Sequence, residues 1–224
     1  MPGNNFNFYF IYKHCLGLYL NQTSKILEIE QKYFMKRRVF IAIKISKPLE
    51  DEIKKWTEDF TKIAGWPFDE SRFPRQVNHV RWLSKKNLHI TIIPPFEVEN
   101  IELVSDKLKN AEWKINSFNI HFAKASFGPN PRSPSIIWAE GRTPNEILKL
   151  KDALEGELQI NAGRQSFLTH ITLARFRPEL FSSFKIKKLN ERINWNESVS
   201  SFVLMESRAS PEEADYEILE EFAF

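Results

Sequence analysis

A five-residue pattern occurs twice in this chain, as Leu88-His-Ile-Thr-Ile92 and Thr169-His-Ile-Thr-Leu173. Its histidines stand at positions 89 and 170, a spacing of 81. Each copy is a short, aliphatic and β-branched run of the kind that forms a buried strand. Side chains alternate along a strand, so His89 and Thr91 leave one face while Ile90 and Ile92 enter the other. The same holds for His170 and Thr172 against Ile171 and Leu173. A single such histidine is ordinarily a satisfied structural residue. A matched pair in a chain with only five His is not what composition alone produces. Each copy also follows, at about fifty residues, an earlier strand (from Val39, and from around Ser117) with a helix between. The chain is therefore expected to fold as two copies of one unit. The two His-x-Thr strands would lie side by side about a pseudo-twofold axis and line a common cleft.

The remaining patterns agree with a mixed fold. Val39–Ile45 reads as a buried strand, and Pro48 opens a helix with Leu49, Ile53, Trp56, Phe60 and Ile63 on one stripe, closed by Gly65-Trp-Pro67. Pro94-Pro95 is expected to stop the first His-x-Thr strand. Ile101, Val104, Leu108 and Ala111 mark a second helix, and Ile147, Leu150, Leu154 and Leu158 a third. Strands are expected near 117–125, 136–140, 169–176, 199–207 and 216–224, with a basic helical segment near 178–192. Without strict βαβ alternation, this order predicts α+β with largely antiparallel sheets. Residues 1–34 are aromatic and apolar without a steady period. They are expected to be a poorly ordered extension or sequence upstream of the true start, Met35, so that the domain spans 35–224.

Composition narrows the function. A net charge of +3 excludes a nucleic-acid coat, so any polyanion contact must be local. The lone Cys15 excludes a disulfide framework and a cysteine-rich zinc site. Seven glycines without a cluster exclude a glycine-rich phosphate loop. No apolar run is long enough to span a membrane. A cytoplasmic, cofactor-free protein without membrane contact is expected. His14, His79 and His121 have no ligand-like spacing, so no metal site is expected. Two imidazoles across a phosphodiester suit displacement at phosphorus: one, neutral, takes a proton from water, while the other, protonated, gives one to the leaving oxygen. Threonine hydroxyls can donate to the non-bridging oxygens.

The pair His89-Ile-Thr91 and His170-Ile-Thr172, with Thr172-Leu-Ala-Arg175 after the second, resembles the 2H phosphoesterase superfamily. Val39-Phe-Ile-Ala-Ile43, Arg81-Trp82 and Asn87-Leu88-His89 also match where that pattern expects them. Within the superfamily the chain is similar to the RNA 2′,3′-cyclic phosphodiesterases, from about Met35 to the C-terminus. It departs in Ile92-Ile-Pro-Pro-Phe96 after the first motif, and in having Thr169 where a proline commonly precedes the second histidine. The resemblance implies a bilobal, pseudo-symmetric α+β fold, with helices on the outer faces of the sheets and both motifs in a central cleft. It also implies a monomer that opens 2′,3′-cyclic phosphate ends of RNA, tRNA fragments among them, to 2′-phosphates without a metal. His89 would be the acid at the 3′ oxygen and His170 the base on water, with Thr91, Thr172 and Arg175 holding the phosphate. Alternatives are a small cyclic nucleotide or nucleotide-derived cyclic phosphate as substrate, or a non-catalytic RNA-binding module.

Arg175 poses a geometric question, because strict alternation from His170 puts it on the wrong face unless the strand ends or bulges. Between Arg164 and Arg192 lie seven basic and two acidic residues, a local +5 that could guide an RNA backbone. Residues 206–221 instead carry seven acids and one arginine. Trp82 and Phe96 could stack on a base, although core packing is the ordinary role for each.

Overall fold

The computed structural model describes residues 36–64, 80–161, 167–208 and 215–224. The expected N-terminal extension 1–34, Gly65-Trp-Pro67 and Arg164 lie outside the described residues. Among those described, two antiparallel sheets form, as α+β patterning requires. One has the order β3-β1-β8-β9, from β1 (Arg37–Lys44), β3 (His89–Val98), β8 (Ser201–Arg208) and β9 (Asp215–Ala223). The other has the order β2-β6-β5-β4-β7, from β2 (Arg81–Trp82), β4 (Phe118–Gly128), β5 (Ile136–Gly141), β6 (His170–Arg175) and β7 (Asn190–Val199).

Among the described residues three α-helices connect them: α1 (Lys47–Ala64), α2 (Ile101–Asn110) and α3 (Asn145–Leu158). Pro48 sits in the first turn of α1, where its missing N–H costs no helical bond. Asn100 caps α2 by accepting from the Leu103 amide at 3.0 Å. Helix α1 follows a strand of the first sheet but packs on β7 of the second, whereas α3 follows a strand of the second sheet and packs on β3 of the first. The helices thereby tie the two sheets into one core containing Ile41, Ile90, Phe122, Ile137, Leu154, Ile171 and Phe202.

Several expectations change. The two His-x-Thr strands are not neighbours in one sheet, since β3 and β6 belong to different sheets that meet. The second unit is β5-α3-β6, because the strand hydrogen-bonded to β6 is β5 and not the one beginning near Ser117. Pro94-Pro95 does not stop β3, which continues to Val98. As an edge strand it tolerates residues without an N–H, and the register with β1 shifts across them. Ile63 leaves the expected stripe and is 81% exposed, while Thr57 and Thr61 are buried on α1. Ala111 lies just past the end of α2.

The basic segment is not a helix. Pro178–Ser183 forms a short 3₁₀ turn and Asn190–Val199 a strand whose alternating polar residues face outward. Lys187 is held there by the Phe181 and Ser182 carbonyls. Several acids of 206–221 find basic partners: Glu206 takes Arg37 and Arg208, Asp215 takes Lys86, and Glu220 takes Lys109.

Candidate active site

The two units place their motifs in matching registers. In the first, His89 lies opposite Lys44 and Thr91 opposite Ala42 on β1. In the second, His170 lies opposite Glu140 and Thr172 opposite Trp138 on β5. Each register then slips by one residue immediately after the threonine. Ile41 pairs with Ile93 and Ile137 with Ala174, which leaves Ile92 and Leu173 as the extra residues. A bulge puts two consecutive side chains on one side of the sheet. Ile92 and Ile93 are accordingly both buried, as are Leu173 and Ala174.

This bulge answers the question of Arg175. With alternation reset at Leu173, Arg175 emerges on the face of His170 and Thr172, where it is exposed. The matching position of the first unit is Pro94. One arm of the pseudo-symmetric cleft thus ends in a guanidinium and the other in an uncharged ring.

Both imidazoles are oriented alike. His89 Nδ1 lies 2.8 Å from the Asn87 carbonyl, and His170 Nδ1 lies 2.8 Å from the Leu168 carbonyl. A carbonyl only accepts, so each Nδ1 carries the hydrogen and each Nε2 is left for a substrate. The surroundings differ. His89, 9% exposed, is flanked by Phe40 and edge-on by Tyr216, with ring centroids 5.1 and 5.2 Å away. His170 is half-buried against Trp138 at 4.9 Å. Trp138 is fixed in turn, because its Nε1–H donates to Ser126 Oγ at 2.8 Å and Ser126 donates to Glu140. Lys124 meets the same carboxylate at 2.9 Å. The Trp138 ring also occupies the space a side chain at Gly128 would need, with a Cβ there lying 2.4 Å from it.

Burial pushes the His89 imidazole down to about 4, opposed by its bond to the Asn87 carbonyl and aided by the charges of Arg175 and His170. Burial also lowers His170, and Arg175 adds to this, while the Leu168 carbonyl and the Glu140 carboxylate oppose it. Both rings are therefore neutral in the free protein at pH 7. Arg175 acts on both, so the two histidines and the arginine share one electrostatic environment. Thr91 is half-buried and Thr172 buried on the same strands.

Other expected participants lie elsewhere. Trp82 packs against Trp56 and Phe60 in the core, and Phe96 packs against the same core. His121 bonds to Asn196 at 3.2 Å on β4. Thr169, in the position of the expected proline, is fully buried and donates to Thr143 at 3.0 Å, which anchors the start of β6. Among the described residues, no cluster of three metal-ligating side chains occurs and no helix is long and apolar enough to cross a membrane. Tyr216, Trp138, Phe40 and Glu140 escaped the sequence reading. Only Trp138 and Glu140 carried a usable signal, their alternation on the strand that proves to pair with β6.

Comparison with known proteins agrees with this geometry. Residues 48–211 match the model of the 2′-5′ RNA ligase superfamily. The chain is 23% identical over 190 residues to the RNA 2′,3′-cyclic phosphodiesterase of Archaeoglobus fulgidus, covering 83% of this chain and 99% of that one. It is 27% identical over 194 residues to the protein of the same name from Methanocaldococcus jannaschii, again covering 83% and 99%. In structure it is similar to E. coli LigT in its apo form, with a TM-score of 0.61 at 21% identity, covering 84% of this chain and 97% of that one. It is likewise similar to TT0787 of Thermus thermophilus, with a TM-score of 0.62 at 18% identity, covering 83% and 97%. With both His-x-Thr strands, their matched bulges and a family match over most of its length, this chain belongs to the 2′-5′ RNA ligase superfamily.

Proposed function

We propose that the protein is an RNA 2′,3′-cyclic phosphodiesterase that opens a terminal cyclic phosphate to a 2′-phosphate by metal-independent acid–base catalysis. The observation that carries this reading is the pair of identically oriented imidazoles, each with Nε2 free for substrate, both under the influence of Arg175. The names of the Archaeoglobus and Methanocaldococcus relatives support the same activity.

In this mechanism His170 Nε2 removes a proton from the attacking water as the new P–O bond forms. The bond from phosphorus to the 3′ oxygen breaks, and His89 Nε2–H gives that oxygen a proton. Thr91, Thr172 and Arg175 donate to the non-bridging oxygens, where charge builds in the transition state. His89 is the harder of the two rings to protonate in the free protein, so the acid is loaded as the phosphodiester anion binds beside it.

The enzyme is proposed to act as a monomer on RNA ends in the cytoplasm, tRNA fragments among them. It is taken to span residues 35–224, a reading supported by the two sheets among the described residues, whose strands all lie at or beyond Arg37. A chain begun at Met35 should melt cooperatively and keep its activity. The decisive experiment incubates the protein, with excess chelator, with RNA ending in a 2′,3′-cyclic phosphate. A 2′-phosphate product is expected. Loss of turnover on chelation, restored by a divalent ion, would overturn the reading.

A further inference from the structure

We infer that Arg81 is a second phosphate-binding residue, placed to hold the phosphodiester one nucleotide upstream of the reacting end. The assignment rests on the proposed activity and extends its site along the RNA backbone.

The placement follows from strand pairing. On β2, Arg81 pairs directly with Arg175 and Trp82 with Ala174. Directly opposed residues of an antiparallel pair point to the same face, with Cβ atoms about 5 Å apart. Trp82 and Ala174 enter the core at 5% and 0% exposure. Arg81 and Arg175 therefore leave on the other face, which the bulge at Leu173 has made the face of His170 and Thr172. The Leu83 amide fixes the register by donating to the Leu173 carbonyl at 2.8 Å.

Two guanidinium groups side by side on the face of His170 and Thr172 match a polyanion, because planar bidentate donors suit phosphate oxygens. The two arginines are not equivalent. Arg175 sits at the end of the catalytic strand and acts electrically on both histidines, and Arg81 is one strand further out. A chain of phosphates running outward from the histidines would meet Arg175 at the reacting group and Arg81 at the next one. The substrate favoured by this geometry is an oligoribonucleotide rather than a cyclic mononucleotide.

The test compares kcat/KM on adenosine 2′,3′-cyclic phosphate, which has no upstream phosphate, with that on a diadenosine bearing one ordinary linkage and a cyclic end. Arg81→Ala should lower the dinucleotide value about 10-fold, as for one lost charged hydrogen bond, and at least fivefold more than the mononucleotide value. Replacing the dinucleotide's linkage with an uncharged methylphosphonate should cost the parent enzyme a similar factor. Arg81→Ala should add little to that loss. Arg81→Lys should restore most of the salt dependence, whose slope falls by about 0.7 when one phosphate contact is lost. Equal losses on both substrates, or an unaltered response of the parent to the methylphosphonate, would overturn the assignment while leaving the activity standing. A parent enzyme that opens neither substrate would remove the activity and this assignment together.

Discussion

Protonating His89 should destabilise this protein measurably. In the unfolded chain the imidazole titrates near 6.5, whereas in the folded protein burial against Phe40 and Tyr216, with Arg175 and His170 nearby, holds it near 4. The unfolded state therefore binds more protons than the folded state between these values. Stability is full above pH 6.5, falls as pH drops toward 4, and levels off below. A difference of 2.5 units at 1.36 kcal/mol each corresponds to roughly 3 kcal/mol. His170 adds in the same direction. Other groups titrate across this range in both directions: Glu206 and Glu140 are lowered by their partners, and Glu197 is raised by burial.

The useful quantity is therefore a difference between proteins. His89→Gln keeps a polar side chain of similar size without a titrating ring. Urea denaturation of parent and variant at pH 7 and pH 4.5 should show the parent losing about 2–3 kcal/mol more than the variant. The histidine proton resonances should place one ring near 4 in the free protein and higher once an anionic product is bound. Overlapping stability profiles for the two proteins, or a His89 resonance titrating at 6.5, would refute the argument that burial controls this ring. In catalysis the same shifts predict a bell-shaped kcat/KM with its maximum below pH 6.5, its two limbs belonging to the coupled pair. The kcat optimum should lie higher, because the bound phosphate favours the imidazolium.

Further expectations concern individual side chains. His89→Ala and His170→Ala should each lower kcat by roughly 10²-fold or more without loss of folding, and the double variant should lose far less than the product. Single-turnover assays with melting controls check this, and parental turnover by a folded His89→Ala protein would remove the acid–base model. Thr91→Ala and Thr172→Ala should cost about 1.5–3 kcal/mol of transition-state stabilisation each, as for bonds to a charged group. Arg175→Ala should act mainly by raising KM and flattening the salt dependence of kcat/KM. Gly128→Ala forces the Trp138 ring away from His170 and should cost about 1–3 kcal/mol in stability together with activity. An unchanged melting temperature and kcat would show that Trp138 has room to move.

The chain alone specified the family pattern and most of the elements, because these depend on local order. Alternation within His89–Ile92 and His170–Leu173 dictates which side chains meet solvent and which meet the core, wherever the strands go. Helical spacing likewise located α1, α2 and α3. What required tertiary structure was everything that depends on pairing between distant segments. That β6 pairs with β5 rather than β4 is decided by which strands share a sheet, and it brings Glu140 and Trp138 to His170. The face of Arg175 depends on one extra residue in β6 relative to β5, a relation invisible in either strand by itself. Pro94 and Pro95 continue a strand because β3 lies at a sheet edge, and the end of the basic stretch, from Asn190, enters β7 because β4 offers it a hydrogen-bonding partner. The pKa of His89 is likewise set by Phe40, Tyr216 and Arg175, which lie 49, 127 and 86 residues away in sequence and come together only in the folded chain. Burial and electric fields are sums over neighbours in space, so only the folded structure determines them.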